Sequence, residues 1–448
     1  MRFRGHVRNL LGHFSRFGEE SCAGSLASAL HVLNPYSSRG EGHAALGLDE
    51  LEVVLEHTDA EESMNELWGA FGAMDELVIP ALTAVVFVEP LPNQPGYKRN
   101  VRSAQFRPQL RERPVVGDGL GLVVADPSCV PFRGHFEYRW KVYSDLRKHI
   151  TETAGSLTEF ASGFRKLGFT KDEETGAITY REWLPPAKSV SLVGDFNNWD
   201  EGATPLARDA FGTWEVTLPA KAIAHRTRVK FCATKHDGST VHRVPAWIRW
   251  SCPDLGKFGS TYDGYYWDPS QAGQDDYCFE GFQAARPALP SSLRIYEAHV
   301  GMSSTEPKCN SYLEFARDVL PRIKEAGYNC VQLMAIMEHS YYGSFGYHVT
   351  SPFAVSSRSG TPDEFKALVE EAHRLGMLVL IDLVHSHVSS NADDGLNGMD
   401  FGQPEGESYF MTGERGYHKL WDSRLYCYKN YEVLRYLLSN LRWWLEEC

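Results

Sequence analysis

Leu378-Val379-Leu380-Ile381-Asp382-Leu383-Val384-His385-Ser386-His387 decides the fold. Four aliphatic residues in a row read as a strand buried in a parallel sheet. The acid that follows must pair with a neighbour or face a cleft, because burying a lone carboxylate is costly. Just upstream, Thr361 caps a helix with Pro362 at its first position and Glu364 closing a capping box. Phe365, Leu368, Ala372 and Leu375 face inward along it and Gly376 ends it. Further back, Cys330-Val331-Gln332-Leu333-Met334 and Arg294-Ile295-Tyr296-Glu297-Ala298-His299-Val300 read as two more strands. Between them, Tyr312, Phe315, Val319 and Ile323 line a helix ending at Gly327. Downstream, Val433, Leu437, Leu441 and Trp444 predict a last helix. Three strand–helix units have the rhythm of an α/β sheet or barrel.

The pattern changes before residue 293. Between Phe169 and Asp268 the apolar residues alternate over short runs, Val190 and Leu192, then Trp214, Val216 and Leu218, then Val229 and Phe231, broken by Gly, Pro, Asn and Asp clusters. That is a β-sandwich, expected over 169–268 and joined onward by a Pro-rich linker over 269–292 that includes Ala285-Arg286-Pro287-Ala288-Leu289-Pro290. Residues 113–168 read as a helical lead-in: Phe136, Trp140, Tyr143 and Leu146 share one helical face, and Ser156 with Glu159 opens a second helix stopped by Gly168. Gly117-Asp118-Gly119-Leu120-Gly121 lacks the flanking strand and helix of a dinucleotide loop and reads as a turn. Residues 1–112 carry no motif and remain unassigned.

Composition narrows the function. The chain has 448 residues and a net charge of -13, which argues against nucleic acid or an anionic membrane as partner. The longest apolar run, Leu77 to Val88, contains Pro80 and is too short for a membrane helix. Nine cysteines at scattered spacings form neither a disulfide framework nor a zinc template, so a reducing, cytoplasmic setting is expected, with no metal and no cofactor. Arg2, Arg4, Arg8 and Arg16, with no acid before Glu19, raise a plastid transit peptide as the alternative.

Polar residues at the ends of buried strands are the candidates for chemistry. Asp382 reads as functional, and His385 and His387 as donors to sugar hydroxyls. Glu338-His339-Ser340-Tyr341-Tyr342-Gly343-Ser344-Phe345-Gly346-Tyr347-His348 sets aromatic faces beside hydrogen-bond donors. In the sandwich, Gly194-Asp195-Phe196-Asn197-Asn198-Trp199-Asp200 ends a strand in a turn carrying an indole, while Trp183 and Trp214 are assigned to packing and Asp393-Asp394 to a solvated loop.

Together these segments resemble the eukaryotic type of 1,4-α-glucan branching enzyme, in the α-amylase superfamily. The likeness runs through residues 294–304, 334–347 and 382–387, then Gly416-Tyr417-His418-Lys419-Leu420-Trp421-Asp422-Ser423-Arg424 and Asn440-Leu441-Arg442-Trp443-Trp444-Leu445. Gly194 to Trp199 and Arg243-Val244-Pro245-Ala246-Trp247-Ile248-Arg249 resemble that family's carbohydrate-binding module, type 48. The stretch Ala354-Val355-Ser356-Ser357-Arg358-Ser359-Gly360-Thr361-Pro362 weakens a reading as an isoamylase or amylase. The resemblance implies a multidomain architecture: a helical N-terminal segment, a β-sandwich carbohydrate-binding module, and, over 293–448, the first three βα units of an incomplete TIM (β/α)8 barrel.

The implied reaction cuts an α-1,4-glucan and rejoins it through an α-1,6 bond by a retaining mechanism, with an α-glucan (glycogen, amylose or amylopectin) as partner. Such a mechanism needs a nucleophile and an acid/base about 5–5.5 Å apart. The resemblance assigns Tyr347 to stacking and Asp382 and His387 to hydrogen bonding at the bond being cleaved, with Trp199 as a glucan contact on the sandwich. It also implies that the nucleophile and acid/base lie beyond Cys448, so that the chain by itself lacks catalytic residues; a non-catalytic glucan-binding or scaffold protein is the alternative. On this reading Ile295, Leu333 and Leu380 lack partners on their inward faces, and the sandwich is the part that stands alone.

Overall fold

The computed structural model describes residues 120–448 apart from 122, 124–125, 254–261, 274–275, 387 and 391–407. The Arg-rich start, residues 1–112, most of the Gly117–Gly121 turn and Asp393-Asp394 lie outside the described residues. The chain divides into two compact units, Met1–Tyr143 and Ser144–Cys448. Of the first, a 3₁₀ turn Pro127–Phe132 is described, capped by Asp126, whose side chain accepts from the Ser128 N–H. The helix Arg133–Ala154 follows, as its spacing predicts.

The second expected lead-in helix is cut short. Ser156 does accept from the Glu159 N–H, but the helix is only Leu157–Phe160. The Gly163 N–H donates to Ser439 Oγ at 2.9 Å, which draws the backbone against the last helix of the chain. Gly168, at φ +74°, opens a strand and does not close a helix.

Two antiparallel sheets follow. One runs in the order β1 (Gly168–Lys171), β2 (Ile178–Trp183), β5 (Thr213–Leu218), β4 (Ala207–Arg208). The other runs β3 (Ser189–Gly194), β6 (Arg228–Thr234), β9 (Tyr262–Tyr265), β8 (Trp250–Pro253), with β7 (Thr240–Arg243) also paired to β6. Ile178, Tyr180 and Trp214 from the first sheet share one core with Val190, Leu192, Val229, Phe231 and Ala233 from the second, as alternation requires. The expected linker is tied down: the backbone N–H groups of Gln283 and Ala284 donate to Glu370 Oε1, and that of Phe279 to Asp363 Oδ2.

Beyond it β10 (Ile295–Ala298), β11 (Cys330–Leu333) and β14 (Leu378–Ile381) form a parallel sheet in that order. Between β11 and β14, β12 (Met337–Glu338) pairs with β13 (Ser351–Val355); β15 (Val388–Ser389), β16 (Tyr417–His418) and β17 (Ser423–Arg424) make a small sheet. The helix Pro362–Arg374 carries the full predicted capping box.

Three expectations need correction. The helix before β11 is interrupted by a π turn, Phe315–Val319, between Tyr312–Glu314 and Leu320–Glu325. Pro321 has no N–H to give to the preceding turn, and the slip buries Leu320 where Val319 was expected. On the helix Tyr431–Glu447, Leu441 is exposed and Asn440 is buried in its place. Strand β14 is not buried on both faces: register puts Ile295, Glu297, Gln332 and Leu380 on one side, where Ile295 and Leu380 are 43% and 40% exposed. Leu333 faces the other way, into the core, and is fully buried.

Candidate functional site

The parallel ladder continues one step past the strands, with the Met334 N–H donating to Ala298 O and the Asp382 N–H to Leu333 O. Asp382 therefore stands at the carboxyl end of β14, on the side that carries Glu297, Gln332 and Leu380. On that side Gln332 Nε2 donates to Glu297 Oε1 at 3.1 Å. The loop after β12 brings Tyr347 to it. Phe345 at φ +57° and Gly346 at φ +99° make the bend, and a Cβ on Gly346 would lie 2.3 Å from Ala335 O. The result is a Tyr347 hydroxyl donating to Asp382 Oδ2 at 2.9 Å. Burial, and then this carboxylate, push the phenol up to about 12.

His299, at the end of β10, was not singled out by sequence reasoning, although the rule that picks Asp382 also covers it. Its Nε2 lies 3.1 Å from Phe345 O, and burial lowers its basicity. The start of the polar-aromatic loop turns out to be a brace. Glu338 is wholly buried, accepting from the His339 N–H at 2.8 Å and the Ser357 N–H at 2.7 Å, and burial pushes it up to about 7. Arg358 donates to His339 O and Ser340 O. Tyr341 and Phe345 are the ring faces left exposed.

His385 is engaged within the fold, its Nε2 lying 2.8 Å from Oδ1 of the buried Asn440. His387 lies outside the described residues. Trp199 sits at φ +62° in the turn after β3, its Nε1–H donating to Asp195 Oδ1 at 2.9 Å and its ring under the Arg228 guanidinium at 5.7 Å. The structure thus joins Tyr347 to Asp382 and keeps Trp199 within its own turn. Trp183 and Trp214 are buried, as assigned.

The sandwich and the strand–helix units that follow it are similar to a carbohydrate-binding module joined to an α-amylase-type domain. Residues 166–248 match carbohydrate-binding module 48 (isoamylase N-terminal domain), and residues 316–416 match the alpha amylase catalytic domain. Within that class the chain is similar to eukaryotic proteins named 1,4-alpha-glucan-branching enzyme. It is 53% identical over 340 residues to that of Solanum tuberosum, covering 75% of this chain and 39% of the relative. It is 49% identical over 334 residues to that of Emericella nidulans (74% and 47%), and 44% identical over 337 residues to that of Dictyostelium discoideum (74% and 47%). The chain thus spans less than half the length of these relatives. A Pisum sativum relative, 52% identical, is named chloroplastic/amyloplastic. Among the described residues no helix is long and apolar enough to cross a membrane.

Proposed function

We propose that this chain serves glucan branching, with the sandwich as glucan-binding module and β10, β11 and β14 as the opening strands of a (β/α)8 barrel. The domain limits proposed are 113–168, 169–268, 269–292 and 293–448, and the proposed location is the cytoplasm, with a plastid as the alternative. The observation that carries the reading is the Tyr347–Asp382 pair at the strand ends, where barrel active sites gather. In this reading the Tyr347 ring stacks on the sugar at the cleavage point. Its hydroxyl orients the Asp382 carboxylate, which with His387 grips the sugar hydroxyls. Neither is the nucleophile: a retaining transfer needs two carboxyl groups on opposite sides of the glycosidic bond, and Asp382 is committed to holding. These grips act on rate when they strengthen as the sugar distorts toward the transition state. Trp199 offers an outer glucan contact on the sandwich.

The test is incubation of amylose with the protein as its gene encodes it, followed by NMR. New α-1,6 linkages are expected. Hydrolysis alone, or glucan binding without reaction, would overturn the branching reading.

A further inference from the structure

We infer that the outer face of the sandwich carries a zinc-type divalent metal site built from Glu201, Cys232 and His242. Cys232 and His242 stand directly opposite each other in the β6–β7 register. Along β6, Val229, Phe231 and Ala233 enter the core, so Cys232 points to the other face, yet it is only 5% exposed. A turn in the segment after β3 lies nearby. The Leu192 N–H donates to Thr204 O at 2.9 Å, and Asn197 Nδ2 bonds both Leu192 O and Thr204 Oγ1. Ser191, which pairs with Pro205, also stands opposite Cys232. Within the turn, the Gly202 N–H donates to Asp200 Oδ1 at 2.8 Å, fixing the peptide beside Glu201.

The ligand atoms of the three side chains lie within 4.8 Å of one another. His242 Nε2 and Glu201 Oε1 are 3.1 Å apart, close to the roughly 3.4 Å between two ligands of one tetrahedral ion at about 2.0–2.2 Å. Thiolate, imidazole and carboxylate are a donor set that suits zinc and disfavours magnesium or calcium. One thiolate and one carboxylate balance the charge of a divalent ion, which removes much of the cost of placing it against a covered thiol. Burial and the Glu201 carboxylate push the Cys232 thiol up to about 12, so it is no reactive nucleophile in its own right. On binding, the S–H bond breaks, its proton leaves to solvent, and sulfur and metal form the new bond; neutral His242 donates through Nε2 and water fills the fourth position. The spacing of 201, 232 and 242 matches no linear zinc template, because one turn and two strands supply the ligands. Ligation would staple the turn that carries Trp199, two residues from Glu201, onto β6 and β7.

The test is titration of the reduced full chain with Co²⁺ and then Zn²⁺. One equivalent of Co²⁺ should give a thiolate-to-metal charge-transfer band with tetrahedral visible bands, which Zn²⁺ removes, and about one proton should be released per metal bound. Cys232→Ser should lose the charge-transfer band. His242→Ala and the exposed Glu201→Gln should each weaken Zn²⁺ binding by at least about tenfold with unchanged far-UV circular dichroism. Absence of the band in the parent chain, its persistence in Cys232→Ser, or unaltered Zn²⁺ affinity in Glu201→Gln and His242→Ala would each overturn the site.

Discussion

The hydroxyl of Tyr347 donates to Oδ2 of Asp382 over 2.9 Å, joining residues 35 apart in sequence at the end of one parallel strand. The bond engages one oxygen of the carboxylate and fixes its orientation at the strand end. On the proposed branching function, Asp382→Ala should lower kcat by about 10²–10³-fold, the range for removing one positioned polar group, with a smaller change in KM. Tyr347→Phe keeps the ring and loses one hydrogen bond worth about 0.5–1.5 kcal/mol, so roughly a two- to tenfold loss is expected. Steady-state kinetics on amylose separate the two; a rise in KM with kcat intact for both would move the pair to a peripheral role.

Gly346 is the hinge that delivers Tyr347. At φ +99°, with Ala335 O 2.3 Å from where a Cβ would sit, Gly346→Ala meets both backbone strain and a collision. A stability loss of about 1–3 kcal/mol is expected, with a fall in kcat that approaches that of Asp382→Ala. Urea denaturation and the branching assay measure the two effects; wild-type kinetics in a stable Gly346→Ala protein would show that the loop tolerates another path.

Buried carboxyls make stability depend on pH. Burial raises Glu182 to about 8, against the hydrogen bonds it accepts from the Tyr180 hydroxyl and the Ala246 N–H, and Glu338 to about 7. Each binds its proton more tightly folded than unfolded, so its contribution is present below the unfolded value of 4.5 and is lost as pH rises to the folded value. His339 runs the other way: burial lowers it to about 4 from 6.5, so its contribution is full above pH 6.5 and fades as pH falls to about 4. Above pH 6.5 the contribution of His339 is complete, while the two carboxyls go on losing theirs. The melting temperature should therefore fall from about pH 6.5 to 8.5, and Glu182→Gln should flatten the slope in scanning fluorimetry. An unchanged slope in that variant would assign the loss elsewhere.

What the sequence disclosed follows from how local each signal is. Thr361, Pro362 and Glu364 cap their helix through neighbours three residues away or fewer, so the pattern sufficed. Asp382 stood out because it breaks an aliphatic run. Tyr347 lies in a loop whose aromatic and polar residues stood out, but its role came only through the resemblance, since nothing near it in sequence reveals a partner 35 residues on. Asn440 was passed over for Leu441 because its burial is satisfied at a distance, by His385 and by Pro352 O at 2.9 Å. Glu182 and Glu338 look like ordinary charges until the fold removes water from them. Glu201, Cys232 and His242 meet only once β3, β6 and β7 are in register.

The expectation of a self-sufficient sandwich fails at Trp247. Its ring lies 4.8 Å from that of Phe353 and 4.9 Å from that of Tyr436, whose hydroxyl donates to Ala246 O at 2.8 Å. Trp183 meets Tyr409 edge-on, and the Tyr262 hydroxyl donates to His339 O at 3.2 Å. Trp183, Ala246 and Trp247 belong to the core of the strand–helix units and not to that of the sandwich. A piece cut at 169–268 would bare these aromatics, and exposed apolar patches of that kind drive association. Limited proteolysis should then protect the sandwich and the strand–helix units together, while the piece 169–268 expressed alone should aggregate or melt well below the full chain. Trp247→Ala, at a cost of about 3–5 kcal/mol for emptying an aromatic site, should loosen both parts in step, read as simultaneous loss of protease protection in β6 and in the helix Tyr431–Glu447. A stable fragment 169–268 left behind while everything after residue 290 is digested would restore the independent sandwich and leave Trp247 as a surface contact.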